Sequence, residues 1–185
     1  MLPESLLPGG KKMNIYICGC LGYETAEKLF YDNEKFLTEY FAEFYLQRFK
    51  RLKKELVLTV PTGYFYVKEI KHGGLFGALW EVAEDLGCGL CVRTDEIPLR
   101  QEIVEIMELF NEDPYESSSA GSFIIFDCGE NTGGPEHLKK IGETNNKKSR
   151  VVIAPSGTRF LTPAKRQDKD IAVRSAGKQG KQLWK

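Results

Sequence analysis

The order in which two kinds of apolar segment alternate constrains the fold of this chain more than any other feature. Short apolar runs are typical of β-strands. They fall at Asn14–Cys20, Gly89–Arg93, Ser122–Cys128, Val151–Ala154 and Arg159–Leu161. The run Ser122–Cys128 (SFIIFDC) has the pattern of a buried strand, so we expect it near the centre of a sheet. The last two runs are close enough along the chain to form a hairpin.

Other segments carry apolar residues at intervals of three and four, the spacing of a helix that packs on a core. The predicted helices are Thr25–Leu56 with a division near Asn33, Leu75–Leu86, Pro98–Phe110, and a short helix around Glu136–Ile141. Tyr64–Ile70 fits both a strand and a helical turn. We interpret the aromatic residues of the first helical segment as core residues rather than as a cofactor groove. The irregular alternation favours an α+β domain, with a mixed or antiparallel sheet covered by helices.

Composition predicts three parts in the chain of 185 residues. Residues 1–13 are predicted to be a loose leader or an added extension, and residues 14–165 one folded domain. Residues 165–185 hold seven Lys and Arg against two acids, so we expect a basic disordered tail over residues 166–185. Over the whole chain 26 cationic residues balance 26 acidic ones, which does not favour nucleic acid or an acidic membrane as a partner.

No apolar run approaches the ~20 residues that a membrane-spanning helix needs, and the N-terminal residues do not resemble a secretory signal. We therefore expect a cytoplasmic protein. The five cysteines are Cys18, Cys20, Cys88, Cys91 and Cys128. Their odd number favours reduced thiols. The two closely spaced pairs lie in or beside predicted strands, whose alternate side chains face opposite sides, so we favour buried thiols over a zinc or redox site and expect no metal.

A pair of glycines with cations beside it is the strongest candidate for binding chemistry. The candidate residues are Lys68, Lys71, His72, Gly73 and Gly74. They lie at the predicted N-terminus of a helix, where exposed N–H groups attract anions and where glycines let a phosphate approach the backbone. The alternative is a capping turn beside solvated lysines.

A second candidate is the serine-rich stretch that contains Ser119 and Gly121, whose hydroxyl and N–H groups could bind an oxyanion. A flexible turn is the alternative, and the one we favour. The other histidine, His137, lies in a polar segment. The sequence shows no nucleophile, base and acid in a recognisable arrangement, so we assign no catalytic residue.

The longest likeness to a known family covers Gly73–Tyr115, GGLFGALWEVAEDLGCGLCVRTDEIPLRQEIVEIMELFNEDPY. It resembles the superfamily of AIR synthase (PurM), the hydrogenase-maturation ATPase HypE, selenophosphate synthetase and thiamine-phosphate kinase. These proteins typically show a helix that runs G-G-I-x-G-A-L-W-E-M-A-E, a G-V-G-L strand, an I-P-[IV]-R-x-E-[TV] helix and a D-P-Y/L turn. Further matches in the same order are Gly19–Phe30, Ser119–Ser122, Ile141–Thr144 and Phe160–Pro163.

The resemblance covers about residues 14–165 and implies the fold of the superfamily's C-terminal domain. It does not include the N-terminal domain, which supplies most of the dimer interface and the acidic, metal-coordinating ATP site. The family segment H-D-x-[TS]-E-G-G corresponds to Lys68–Gly74, KEIKHGG, so Glu69 replaces the Asp and the other polar family residues are absent. HypE-like proteins end in a reactive cysteine tail, and this chain ends in Gln182–Lys185. We therefore expect no cofactor, with ATP and Mg²⁺ only if a partner supplies the N-terminal half.

These observations lead to one main hypothesis and two alternatives. The main hypothesis is a standalone, non-catalytic module with a degenerate site, which binds a phosphate or other ligand or docks on a partner. The alternatives are one half of a split ATP-dependent enzyme and a structural oligomerisation domain. The expected partner is a second copy, giving a dimer, or a separate ATP-binding-domain protein. Loss of the N-terminal neighbour would expose apolar side chains; the candidates are Tyr40, Phe44, Tyr64, Phe65 and Tyr66.

Overall fold

Seven strands form one mixed sheet in a computed structural model of the chain, which describes residues 12–55, 60–129 and 138–163. The strands are β1 Asn14–Cys18, β2 Tyr66–Glu69, β3 Gly89–Arg93, β4 Phe123–Asp127, β5 Lys139–Asn145, β6 Arg150–Ala154 and β7 Gly157–Phe160. Their order across the sheet is β2-β4-β1-β5-β3-β6-β7. Among these described strands only β3 and β6 pair in parallel; the other neighbours are antiparallel. The predicted α+β class with a mixed sheet is confirmed.

Five α-helices of the described residues accompany the sheet: α1 Tyr23–Asp32, α2 Glu34–Tyr40, α3 Glu43–Glu55, α4 Gly74–Asp85 and α5 Gln101–Leu109. The predicted division at Asn33 is confirmed, because α1 ends just before this residue and α2 begins just after it. A second division, which the sequence pattern did not predict, occurs at Phe41. This residue has an extended backbone (φ −116°, ψ 142°) and ends α2.

The middle strand of the sheet is β5, and this corrects two expectations. The predicted short helix around Glu136–Ile141 is wrong for its described part, since Lys139–Asn145 is a strand. The strand predicted at Ser122–Cys128 is β4, which is fully buried but lies second from an edge. Because β5 pairs with β1 on one side and β3 on the other, its position comes from long-range pairing that a local pattern does not show.

Two apolar clusters hold the described helices in place. The first lies between the sheet and α4, and contains Ile15, Ile17, Leu75, Leu79, Ile124 and Phe126 among others. The second joins α1, α2, α3 and α5, with Phe30, Leu37, Phe49, Ile103 and Met107 at its centre. In the second cluster the rings of Phe30 and Phe49 stack with their centroids 4.9 Å apart. Burial of each large apolar side chain stabilises the fold by roughly 1.5–3 kcal/mol.

The first described residues already belong to the sheet. The Met13 N–H donates to the hydroxyl of Thr144 at 2.8 Å, and the Thr144 N–H donates to the Met13 carbonyl at 2.8 Å. Three predicted features lie outside the described residues: most of the leader, His137, and the whole of the disordered tail. None of the helices that the structure describes is long and apolar enough to cross a membrane.

Candidate functional site

The predicted binding residues lie where β2 leads into α4. Lys68 and Glu69 end β2, and α4 begins at Gly74. Gly73 and Gly74 both have left-handed backbones, with φ of 78° and 61°. A Cβ atom at position 74 would overlap the Tyr115 carbonyl oxygen and lie 2.7 Å from the Glu116 Cα atom. The second glycine is therefore required for close packing of two backbone segments, whether or not a ligand binds.

Several N–H groups at the start of α4 already have backbone acceptors. The Gly74 N–H donates to the Lys71 carbonyl at 3.0 Å, and the Phe76 N–H donates to the Tyr115 carbonyl at 3.3 Å. The next N–H group, of Gly77, donates to the Gly73 carbonyl at 2.9 Å. The side chains of Lys71 and His72 are exposed on this turn. An anion at the turn would therefore meet these two side chains more readily than a cradle of unpaired N–H groups.

The two lysines of the candidate site point to different partners. The ammonium of Lys68 lies 2.7 Å from the carboxylate of Glu81 on α4. The ammonium of Lys71 lies 2.8 Å from the carboxylate of Glu69. This second pair raises the pKa of Lys71 and lowers the pKa of Glu69, and a hydrogen bond from the Gly121 N–H lowers the pKa of Glu69 further. The structure thus brings Lys71 to the turn with a carboxylate beside it, while Lys68 is paired with the outer face of α4.

The serine-rich stretch lies next to this turn, but the hydroxyl of Ser119 points into the protein. Ser119 is fully buried. Its hydroxyl accepts a hydrogen bond from the Gly22 N–H at 2.7 Å and donates to the Ser117 carbonyl at 3.2 Å. The Gly121 N–H donates to the Glu69 carboxylate at 3.0 Å. Ser119 and Gly121 therefore connect the loop to the rest of the fold, and their polar groups are already bonded within the chain.

Glu24, at the start of α1, is a residue that we did not single out as part of the site. Its carboxylate accepts hydrogen bonds from the Ser118 hydroxyl and, at 3.1 Å, from the Ala120 N–H. Its charge also contributes to the raised pKa of Lys71. The sequence signal that could have pointed to Glu24 is its position within Gly19–Phe30, a segment that resembles the family. Glu24 and Glu69 hold the loop 118–121 from two sides, one from α1 and the other from β2.

The cysteines are placed as buried or half-buried side chains. No disulfide joins the five, all of which lie in described ranges. Burial raises the pKa of the Cys18 thiol, and it also raises the pKa of Cys88 although the charge of Arg150 opposes this. Both thiols are therefore held in the protonated form at neutral pH. In the described part of the chain, no three His, Cys, Asp or Glu side chains are grouped closely enough to hold a metal ion.

The predicted apolar surface divides into exposed and packed members. Tyr40, Phe44 and Phe65 are exposed, with Phe44 at 67%. Tyr64 is half-buried. Tyr66 is also half-buried, because its ring packs edge-on against Phe126 and its hydroxyl donates to the Asp85 carboxylate at 2.9 Å. Tyr66 therefore lies at the edge of the core, and its prediction as a member of the exposed patch is wrong.

Comparison with known proteins identifies the fold. No family model matches the chain. Carbamoyl dehydratase HypE from Rhodobacter capsulatus is 33% identical over 70 residues, which are 38% of this chain and 21% of that protein. A crystal structure of the hydrogenase maturation protein HypE superposes with a TM-score of 0.63 at 16% identity, over 86% of this chain and 55% of HypE. Thiamine monophosphate kinase from Aquifex aeolicus superposes with a TM-score of 0.52 at 15% identity, over 80% of this chain and 50% of the kinase. The chain spans about half the length of these solved structures.

Proposed function

Because the chain has the fold shared by HypE and thiamine monophosphate kinase, we propose that it is a docking and anion-contacting module that acts together with an ATP-binding half. The observation that carries this proposal is the extent of the superposition, which takes in most of this chain and only 55% and 50% of those two proteins. The resemblance implies that ATP and its metal ions are held mainly by the other half of such proteins. The 185 residues alone are then not expected to turn over ATP.

The carboxylates around the turn support this proposal. Holding Mg²⁺ on ATP needs acidic oxygens that are available to the metal ion. Glu69 is bonded to Lys71 and the Gly121 N–H, and Glu24 is bonded to the Ser118 hydroxyl and the Ala120 N–H. These acids serve to hold the loop 118–121. We infer that the site favours a simple anion over a metal–nucleotide complex.

Within this proposal the anion contact is made by Lys71 and His72 beside Gly73. Both side chains are exposed, and Lys71 is cationic at neutral pH, as an ordinary lysine is, with its pKa raised further by the neighbouring Glu69 carboxylate. The expected ligand is a phosphate group, bound weakly because the turn supplies few unpaired N–H groups and because exposed charges are screened by salt. Ser119 and Lys68 were also predicted to bind the anion. Within this proposal they do not contact it: Ser119 holds the loop 118–121 in place, and Lys68 forms an ion pair with α4.

Calorimetry of the purified chain tests the proposal. Inorganic phosphate and Mg-ATP are titrated separately into the wild type, Lys71→Ala and Lys35→Ala, where Lys35 is an exposed lysine on α2. We expect weak phosphate binding that Lys71→Ala removes and Lys35→Ala retains, and no ATP turnover by any of them. Turnover of Mg-ATP by the wild-type chain alone would overturn the non-catalytic module. The absence of any phosphate response would overturn the anion contact.

The same extent of match favours a second candidate, one half of a split ATP-dependent enzyme. Adding a protein that supplies the remaining half of the fold distinguishes the two. ATP turnover that requires both components assigns the split enzyme, whereas complex formation without turnover assigns the docking module. If the chain instead associates only with itself, through exposed aromatics such as Phe44 and Tyr40, then the oligomerisation domain is the correct reading.

A further inference from the structure

The β7 strand leaves one edge of the sheet without a described neighbour. Its four residues, Gly157–Phe160, pair with β6 on one side and are all exposed, and Phe160 has 73% of its surface accessible. The Leu161 N–H donates to the Arg150 carbonyl at 2.9 Å, towards β6. Hydrogen-bonding directions alternate along an antiparallel strand. The N–H and carbonyl groups of Phe160 and Thr158 therefore point outward, ready to pair with another strand.

Three cations near this edge have no ion pair within the part of the chain that the structure describes. Lys147 and Lys148 lie in the turn before β6, and Arg159 lies on β7 with its guanidinium 4.5 Å from the ring of Phe76. None of the three makes an ion pair with any residue in the described ranges.

The opposite edge of the sheet, β2, is different. There the ammonium of Lys68 is paired with Glu81, and that of Lys71 is paired with Glu69. The two edges thus differ in charge: Lys68 and Lys71 each have a carboxylate beside them, whereas Lys147, Lys148 and Arg159 have none among the described residues.

A groove of about 320 Å³ adjoins the end of β7. Its lining includes Trp80, Glu84, Lys148, Ser149, Arg150 and Leu161. The guanidinium of Arg150 lies 4.2 Å from the centroid of the Trp80 ring and pairs with Glu84. The Nε atom of Arg150 is buried and has no hydrogen-bond partner among the described residues. The groove therefore combines the Lys148 side chain with a guanidinium that stacks on an aromatic ring and is paired with Glu84.

We propose that the β7 edge is a docking surface for an extended acidic segment of a partner protein. The segment adds a strand beside Thr158 and Phe160, and one of its carboxylates enters the groove near Arg150 and Lys148. Main-chain hydrogen bonds supply the affinity of such strand addition, and charge complementarity selects the partner. An acidic segment fits because it neutralises cations that make no ion pair with any other described residue.

Charge also decides against two other occupants. A second copy paired through its own β7 would add its own cations to a surface that already carries Arg159, Lys147 and Lys148, and like charges destabilise such a contact. The chain's own residues 165–185 hold seven Lys and Arg against two acids and would be repelled in the same way. The surface is separate from the Lys71 turn, since six strand spacings of about 4.8 Å place the two edges roughly 30 Å apart.

Fluorescence titration of Trp80 tests this docking surface. The background is Trp184→Phe, which leaves Trp80 as the single tryptophan of the chain. The probe is a capped ten-residue peptide of alternating Glu and Val, and the control probe is the same peptide with Lys in place of Glu. We expect saturable binding of the Glu peptide, weakened by raising salt from about 0.05 M to about 0.5 M, and no binding of the Lys peptide.

Two variants locate the binding. Thr158→Pro removes one outward N–H at an edge position where proline is tolerated, and the double charge reversal Lys147→Glu with Lys148→Glu removes the cations. Each is expected to weaken binding at least tenfold. The matched control is Lys28→Glu with Lys35→Glu, which makes the same change in net charge on α1 and α2 and should bind as the wild type does. Circular dichroism checks that each variant is folded, and the charge-reversal variant alone decides if Thr158→Pro does not fold.

Three results would overturn the docking surface. The Glu peptide could give no saturable signal at millimolar concentration, or it could bind the charge-reversal variant as tightly as the control variant. Self-association in the ultracentrifuge that Thr158→Pro abolishes would assign the edge to a second copy instead. None of these results depends on Lys71, on phosphate or on ATP turnover, so failure here is distinguishable from failure of the proposed function.

Discussion

The buried hydroxyl of Ser119 accepts a hydrogen bond from the Gly22 N–H at 2.7 Å, although 97 positions separate the two residues. Close by, the Ser122 hydroxyl accepts from the Cys20 N–H at 2.9 Å and donates to the Cys20 carbonyl at 3.0 Å. Two serines of one loop thus provide hydrogen-bond partners for the backbone between β1 and α1. A stretch that resembles an oxyanion loop in sequence is, in this fold, a connection between distant segments.

Replacing Ser119 with alanine should destabilise the fold without any ligand being present. The substitution leaves the buried Gly22 N–H without its acceptor, and an unsatisfied buried group costs about 1–3 kcal/mol. Urea unfolding followed by circular dichroism measures the free energy of unfolding. Ser156→Ala, at an exposed turn, is the control and should change that energy by less than about 0.5 kcal/mol. Equal stability of the two variants would contradict the structural role of Ser119.

Alanine at Gly74 and at Gly87 should separate packing from backbone strain. Both glycines have φ near 60°, so alanine costs about 1–2 kcal/mol at either position. A Cβ at Gly87 meets no atom within 4 Å, whereas one at Gly74 overlaps the backbone of Tyr115 and Glu116. We therefore expect Gly74→Ala to be less stable than Gly87→Ala by a further ~1–3 kcal/mol, measured by urea unfolding. Similar losses for the two variants would show that this contact relaxes easily.

Elements with a strong local pattern were predictable from the sequence. The strand Gly89–Arg93 was predicted with its observed bounds, and the helix Leu75–Leu86 within one residue at each end. Both combine a regular apolar period with a glycine at the boundary, and these signals need no knowledge of the rest of the chain.

Features set by long-range contacts were not predictable in the same way. The strand β5 buries only Ile141 and Thr144. It also needs a glycine at position 142, because a Cβ atom there would lie 2.9 Å from the Val92 Cα atom. Its alternation is therefore weak, and its pairing partners lie far away in sequence. The sequence also does not show that the Ser119 hydroxyl points inward, because the N–H group that donates to it belongs to a distant segment of the chain. Lys71 with His72 and Ser119 with Gly121 were two separate candidates in the sequence, which did not show that they lie near one turn or that Glu24 and Glu69 organise it.

Acid should loosen the loop 118–121 through Glu69. The pKa of this carboxyl is held below its ordinary value of 4.5, first by Lys71 and then by the Gly121 N–H. A lowered folded-state pKa contributes stability that is present above pH 4.5 and is lost as the pH falls through the folded-state value. Glu69→Gln should therefore show a smaller fall in stability between about pH 5 and pH 3 than the wild type, measured by thermal unfolding. Glu112→Gln, at an exposed site, should follow the wild type; the same behaviour of Glu69→Gln would refute the linkage.

The ion pair between α3 and α5 gives the last prediction. The Arg48 guanidinium lies 2.6 Å from the Glu102 carboxylate, and the Glu102 side chain is only 5% exposed whereas that of Arg48 is 59% exposed. Removing the cation leaves a buried carboxylate without its partner. Breaking a fully buried pair costs about 3–5 kcal/mol and breaking an exposed one about 0–1 kcal/mol, so Arg48→Met should cost roughly 2 kcal/mol. Arg51→Met, an exposed arginine on the same helix, is the control.

A double-mutant cycle with Glu102→Gln isolates the pair itself. Once Glu102 is replaced by neutral glutamine, Arg48 has no carboxylate to pair with. Arg48→Met should therefore lower the free energy of unfolding much less in the Glu102→Gln background than in the wild type. We expect a coupling of about 1–2 kcal/mol from urea unfolding of the four proteins. A coupling near zero would mean that water satisfies Glu102 equally well, and that the contact between α3 and α5 rests on the apolar cluster around Phe49 and Ile106 alone.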